Sequence, residues 1–164
     1  MHHVPDEIKN TIGKALGKIP SGVYIVTAEH GGKATAMLAS WVQQAAFAPP
    51  AITIAIAPDR PIAQLIAQSK KFAVSITPET DTTLMKRFAR GLKPDEDPFA
   101  GLSTLTTPSG QRFFADALAW LDCRLLQTCT FGGDHQLIIA EVTSGALLGE
   151  GKSFAHQRGN GFHY

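Results

Sequence analysis

Hydrophobic and polar positions divide the chain into short segments whose period changes along it. Ile8, Ile12, Leu16 and Ile19 recur at helical spacing, and Asp6 and Glu7 fall in the first turn, where acidic side chains suit the helix dipole. They predict an N-terminal helix ended by Pro20-Ser21-Gly22. Residues 23–28 are β-branched and aromatic and predict a strand. Glu29-His30-Gly31-Gly32 then predicts a hairpin turn, with the chain returning as a strand over 34–41. Another strand is predicted over 51–57, where Ile52, Ile54 and Ile56 share a face, while 43–50 reads as a proline-bounded loop. Pro61 suits the first turn of a short amphipathic helix carrying Ile62, Leu65 and Ile66. Residues 72–76 predict a strand, and Asp81 predicts the cap of a helix carrying Leu84, Met85 and Phe88. An exposed loop over 91–101 precedes a short strand at 102–105 and a long one at 117–129. A turn at Gly132-Gly133-Asp134 and a β-rich run over 136–142 follow.

Strands dominate, helices are short, and the two do not alternate strictly. This disfavours a doubly wound parallel sheet and favours an antiparallel barrel with helices packed on it. There is no internal repeat and no low-complexity linker. The 164 residues suit a single domain over 1–164, and an apolar fraction of 44% against 18% charged argues against disorder. A net charge of +1 gives no basic excess for nucleic acid. No apolar window approaches the roughly 20 residues of a membrane span. Residues 1–10 lack the apolar middle of a signal peptide, so the expected compartment is the cytoplasm. Cys123 and Cys129 lie on one predicted strand, too far apart for a bridge and outside any CxxC spacing.

Motif chemistry is sparse. Gly13 to Gly17 lies inside a predicted helix, so it is no dinucleotide fingerprint. The histidines show no metal spacing, which leaves no metal site expected, and there is no GxSxG. Three stretches remain. Ala36-Met37-Leu38-Ala39-Ser40-Trp41-Val42 sets small residues beside a hydroxyl and an indole, where a flat ligand can approach the backbone; an ordinary strand is the plainer reading. Gly132-Gly133-Asp134-His135 reads equally as a turn with an exposed histidine, and Lys86-Arg87-Phe88-Ala89-Arg90 as a solvated helix face.

Taken in order, these stretches carry a resemblance. Residues 19–28 (IPSGVYIVTA), Ala36 to Val42, Pro49-Pro50 before an isoleucine-rich strand, residues 72–76, Asp122-Cys123, Gly133-Asp134-His135 and Glu141-Val142 together resemble the flavin reductase-like family, the FMN-binding split barrels. The match covers nearly the whole chain. Residues 37–50, 94–101 and Ala155-His156-Gln157-Arg158 look like the C-terminal flavin reductase module of cyanobacterial diflavin flavodiiron proteins. Ala36, Leu38 and Trp41 stand where much of the family has glycine or hydroxylated residues. Contacts to a flavin there fall to the backbone.

The resemblance implies a mainly β fold with peripheral helices: a six-stranded antiparallel Greek-key split β-barrel, paired as a homodimer with flavin near the seam. It implies hydride transfer from NADH or NADPH to FMN, with FAD as the alternative flavin. That reaction needs stacked rings rather than a catalytic triad. Met37, Leu38, Ala39, Ser40 and Trp41 would line the isoalloxazine. Ala55, Ile56, Ala57, Asp59, Arg60 and Ile62 would flank the ribityl phosphate, with Arg60 gripping it. Phe88 and Arg90 would lie beside the flavin. His135 would orient substrate or, if protonated, steady negative charge, and His156 and Tyr164 would belong to a lid formed by the tail. Three readings stay open: an NAD(P)H-dependent flavin reductase, an FMN carrier passing electrons between protein partners, such as a redox acceptor, without efficient nicotinamide use, and a barrel that binds another ligand or acts only as an interaction module.

Overall fold

The computed structural model describes residues 4–163. Residues 6–16 form a continuous helical segment: α1 (Asp6–Ile8), a π-helical turn (Lys9–Gly13) and α2 (Lys14–Leu16). Its apolar stripe is not its contact face within the chain, since Ile12 is 52% and Ile19 61% exposed. Gly13 and Gly17, about one turn apart, are buried instead. A Cβ at Gly13 would meet the Asn160 side chain at 2.5 Å, and one at Gly17 the Arg158 carbonyl at 2.6 Å. The two glycines therefore make a groove for the C-terminal tail. There the Gly161 amide donates to Gly13 O at 2.6 Å and Asn160 Nδ2 to Lys9 O at 2.7 Å.

After β1 (Ser21–Gly22), strands β2 (Tyr24–His30) and β3 (Lys33–Ala39) form the expected hairpin. Gly31 and Gly32 both hold positive φ, 58° and 77°, as a two-residue turn requires. The predicted strand over 34–41 stops at Ala39, because the chain bends at Ser40-Trp41. It then runs on as β4 (Val42–Phe47), which pairs with β5 (Pro50–Ile56) across a cis Ala48–Pro49 peptide. The loop expected over 43–50 is thus mostly strand: Gln43, Gln44 and Ala45 have little intrinsic strand preference, and pairing with β5 overrides it.

α3 (Pro61–Ser69) and β6 (Lys71–Ile76) follow as predicted. The Asp81 carboxylate accepts the Thr83 amide at 2.8 Å just ahead of α4 (Thr83–Phe88), whose N-cap is Thr82 rather than the expected Asp81; hydrogen bonding from the Thr83 side chain and then its amide holds the Asp81 pKa below the usual carboxylate range. A small hairpin, β7 (Thr104–Thr106) with β8 (Arg112–Phe114), occupies the region where one short strand was expected. Two twelve-residue strands, β9 (Ala119–Thr130) and β10 (Gln136–Leu147), cross the molecule, with register shifts along β10 that let them bend. β11 (Ala155–His156) pairs with β1.

The main sheet is seven-stranded and antiparallel, in the order β3-β2-β6-β9-β10-β5-β4. One more strand is counted than expected because the bend at Ser40-Trp41 divides β3 from β4. These two are the sheet's edges, and they are contiguous in the chain. The sheet must therefore curl until its edges meet, and it stays split where β3 faces the end of β5. Ile54, Ile56, Ile62, Ile66, Phe72, Val74 and Ile138 fill the interior. Ile25, Leu84, Phe88, Phe99 and Phe114 form a second cluster. Val26 and Ile25 of β2 belong to opposite clusters, which explains why that strand is apolar on both faces.

Candidate functional site

The split in the barrel opens as a cavity of about 530 Å³. Met37, Leu38 and Ala39 enter it from the end of β3, Ser40 and Trp41 from the bend, and Ala55, Ile56 and Ala57 from the end of β5. Arg60 and Ile62 come from the start of α3, Phe88 and Arg90 from α4 and the turn after it, His135 from the β9–β10 turn and His156 from β11. The structure thus gathers every residue to which the resemblance gives a part in binding except two. Asp59 lies in an adjoining opening with Arg60, Asp134 and His135, and Tyr164 lies outside the described residues.

The wall chemistry is specific. β3 is an edge strand, so alternate amides and carbonyls along it point away from β2 and are available to a ligand. Arg60, Arg90 and Arg158 line the cavity, and no Asp or Glu does among the described residues. Arg90 is partly committed, with Nη2 at 3.7 Å from Glu96. Arg60 precedes α3, whose N-terminus has no side-chain cap. Pro61 brings no N–H and the Ala63 amide donates to Arg60 O at 3.0 Å, so the Ile62 amide is the first-turn donor left for an anion.

At the centre three side chains from distant parts of the chain meet. The Trp41 and His135 rings lie 4.9 Å apart between centroids, tilted by 57°. The Arg158 guanidinium carbon sits 5.2 Å from the Trp41 ring centre. His135 Nδ1 is 2.9 Å from the Asp134 carboxylate, which orients the imidazole. Arg158 is the residue whose part the sequence did not reveal. It entered the resemblance only as the end of Ala155-His156-Gln157-Arg158, with no role assigned, and nothing local in the sequence announces its approach to Trp41.

Ser40, Trp41, Ala55, His135 and Arg158 also line a second, larger cleft of about 960 Å³. Its other walls include Leu16, Ile19, Ser21 and Tyr24, the outer face of β4, β5 and β10 at Gln43, Thr53 and Leu137, and the tail from Ser153. Burial pushes the Tyr24 hydroxyl's pKa up, so that it stays neutral. No helix among the described residues is long and apolar enough to cross a membrane.

Known proteins are similar to this chain in sequence and in fold. The chain is 38% identical over 159 residues to "Diflavin flavoprotein A 1" of Synechocystis, covering 96% of this chain and 28% of that protein. It therefore spans little more than a quarter of that relative. The NADH:FAD oxidoreductase SgcE6 of Streptomyces globisporus superposes with a TM-score of 0.83 at 23% identity, covering 97% of this chain and 93% of that one. A second structure of SgcE6, in complex with NAD and FAD fragments, superposes at 0.80 and 22% identity, covering 97% of this chain and 93% of that one. These likenesses establish the split-barrel fold. Residues 16–161 match the family described as "Flavin reductase like domain", and with most of its length inside that match the chain belongs to this family.

Proposed function

We propose that residues 1–164 act as one FMN-binding module, an NAD(P)H:flavin oxidoreductase working in the cytoplasm. The observation that carries this reading is the pair of adjoining spaces sharing Ser40, Trp41, Ala55, His135 and Arg158. One ligand in each would meet at that shared wall. The SgcE6 complex with NAD and FAD fragments supports two such ligands on this fold.

A bound flavin supplies the hydride acceptor. The chain's own residues do the rest. The outward backbone of β3 at Met37 to Ala39 holds the ring's polar edge, and the small side chains of Ala39 and Ala55 let it approach closely. Arg60 and the Ile62 amide hold the phosphate. His135, steered by Asp134, orients the nicotinamide and, when protonated, balances negative charge over the cavity. No proton relay is needed, because hydride transfer depends on alignment. Titrating FMN into the chain should quench flavin fluorescence, and anaerobic NADH or NADPH should then bleach the flavin absorbance. His135→Ala should keep the flavin and slow the bleaching. If micromolar FMN and FAD both leave flavin and tryptophan emission unchanged, the flavin reading fails. Binding without bleaching would instead favour the electron-carrier reading.

The same reading includes a homodimer. Phe47 is 91% and Leu147 78% exposed, on β4, which buries no residue, and at the end of β10, which buries only Ile138 and Ala140, and twofold pairing is the common remedy for such exposed apolar side chains. Sedimentation across a dilution series should show dimers whose flavin affinity falls on dissociation. A flavin-replete monomer at every concentration would refute this.

A further inference from the structure

Charge changes sign at one end of the barrel-split cavity. The cavity itself has Arg60, Arg90 and Arg158 in its walls and no Asp or Glu among the described residues. The adjoining opening, of about 480 Å³, shares Ala57, Arg60, Pro61 and His135 with it. Beyond those four it adds Pro58, Asp59 and Asp134. Arg60 is the only Lys or Arg lining this opening among the described residues, and two carboxylates stand beside it.

Two turns distant in sequence place these carboxylates. Between β5 and α3 the Arg60 amide donates to Ala57 O at 3.1 Å, which closes a four-residue turn with Pro58 second and Asp59 third. Pro58 and Pro61 fix φ on either side, so the backbone keeps Asp59 next to Arg60 at the head of the helix. Asp134 comes from the β9–β10 turn, and His135 Nδ1 lies 2.9 Å from its carboxylate. Asp59 is exposed and the Asp134 side chain is 73% exposed, so both carboxylates are accessible to a ligand in the opening.

We infer that Asp59, assisted by Asp134, is a specificity-determining residue that favours FMN over FAD. The inference rests on the flavin-binding reading, with the phosphate at Arg60 and the Ile62 amide, and adds which flavin the chain takes. FMN ends at that phosphate. FAD continues from it with a second phosphate and an adenosine, which must pass Arg60 into the opening. There the second phosphate meets two carboxylates and no further cation, and Ala57, Pro58 and Pro61 offer no side-chain donor. A like charge left unbalanced discriminates against the wrong ligand without touching the right one. Because both carboxylates are exposed, the repulsion is modest and is screened by salt.

Calorimetric titrations of FMN, FAD and riboflavin into the full chain test this. At low salt the unsubstituted chain should bind FMN about tenfold more tightly than FAD, and the ratio should narrow as salt is added. Asp59→Asn keeps the side chain's shape and removes its charge, and should narrow the ratio about threefold, as expected for one exposed charge. Adding Asp134→Asn should bring the narrowing to about tenfold, and Asp59→Arg should exceed Asp59→Asn. Riboflavin has no phosphate and should bind all of them alike. Glu7→Gln, on the exposed face of the N-terminal helix, serves as the charge control and should leave the ratio as it was. Equal affinity for FMN and FAD in the unsubstituted chain overturns the assignment. So does a ratio that neither Asp59 variant moves, a ratio that salt leaves unchanged, or a riboflavin shift as large as that of FAD. In each of those outcomes flavin still binds, so they are distinct from failure of the flavin reading itself, in which none of the three ligands binds and both inferences fall.

Discussion

Arg60→Ala is expected to weaken FMN by about ten- to a hundredfold and to leave riboflavin nearly unchanged. Arg60 is exposed, lines the cavity in the barrel split, and stands at the uncapped start of α3. A ribityl phosphate there would meet a guanidinium, the Ile62 amide and the positive end of a nine-residue helix. A hydrogen bond to a charged group contributes about 1.5–3 kcal/mol, which sets the expected range. Riboflavin has no phosphate and keeps only the ring contacts. Paired fluorescence titrations of both ligands decide the matter. An equal loss for both would move the phosphate elsewhere, with Arg90 as the next cation along the same wall.

Phe114→Ala should destabilise the chain by about 3–5 kcal/mol, as deletion of a fully buried aromatic ring usually does, and lower the melting temperature by about 10 °C. Phe114 is 0% exposed. Its ring centre lies 5.2 Å from that of Phe88 and 5.7 Å from that of Phe99. Arg112 packs over Phe99 at 3.8 Å and its guanidinium pairs with Glu29 at 2.6 Å, which ties this cluster to β2. Phe88 also lines the cavity, so the aromatic cluster supports one wall of the site from behind. Flavin affinity should therefore fall together with stability. A loss below about 1 kcal/mol in denaturant unfolding would mean that the cluster collapses into the vacated space instead.

Elements whose own residues impose a period were legible. The Gly31-Gly32 hairpin, the isoleucine face of β5 and the amphipathic α3 each carry a local signal strong enough to place them. Even the start of α4 was readable to within one residue of its Thr82 N-cap, because Asp81 accepts the Thr83 amide and such contacts are decided within a few residues. β4 was not, since Gln43 to Ala45 form a strand only when β5 lies beside them. The N-terminal helix was foreseen, but not its contact face: its isoleucine stripe outranks two glycines on any hydrophobic scale, yet the glycines admit the tail.

The candidate site divides along the same line. The segments around Leu38 and His135 stood out as short contiguous stretches of unusual composition, and Arg60 was singled out by its charge once the family resemblance placed it near the phosphate. Only the tertiary structure brought Trp41, His135 and Arg158 together across more than a hundred residues of chain, and only it separated Asp59 from the main cavity. Local sequence determines which face of a strand is apolar and where a turn must fall, since those depend on neighbouring side chains and backbone preference. Which edge closes on which, and which turns come to share one opening, follow from packing between distant segments, and the folded chain alone decides them.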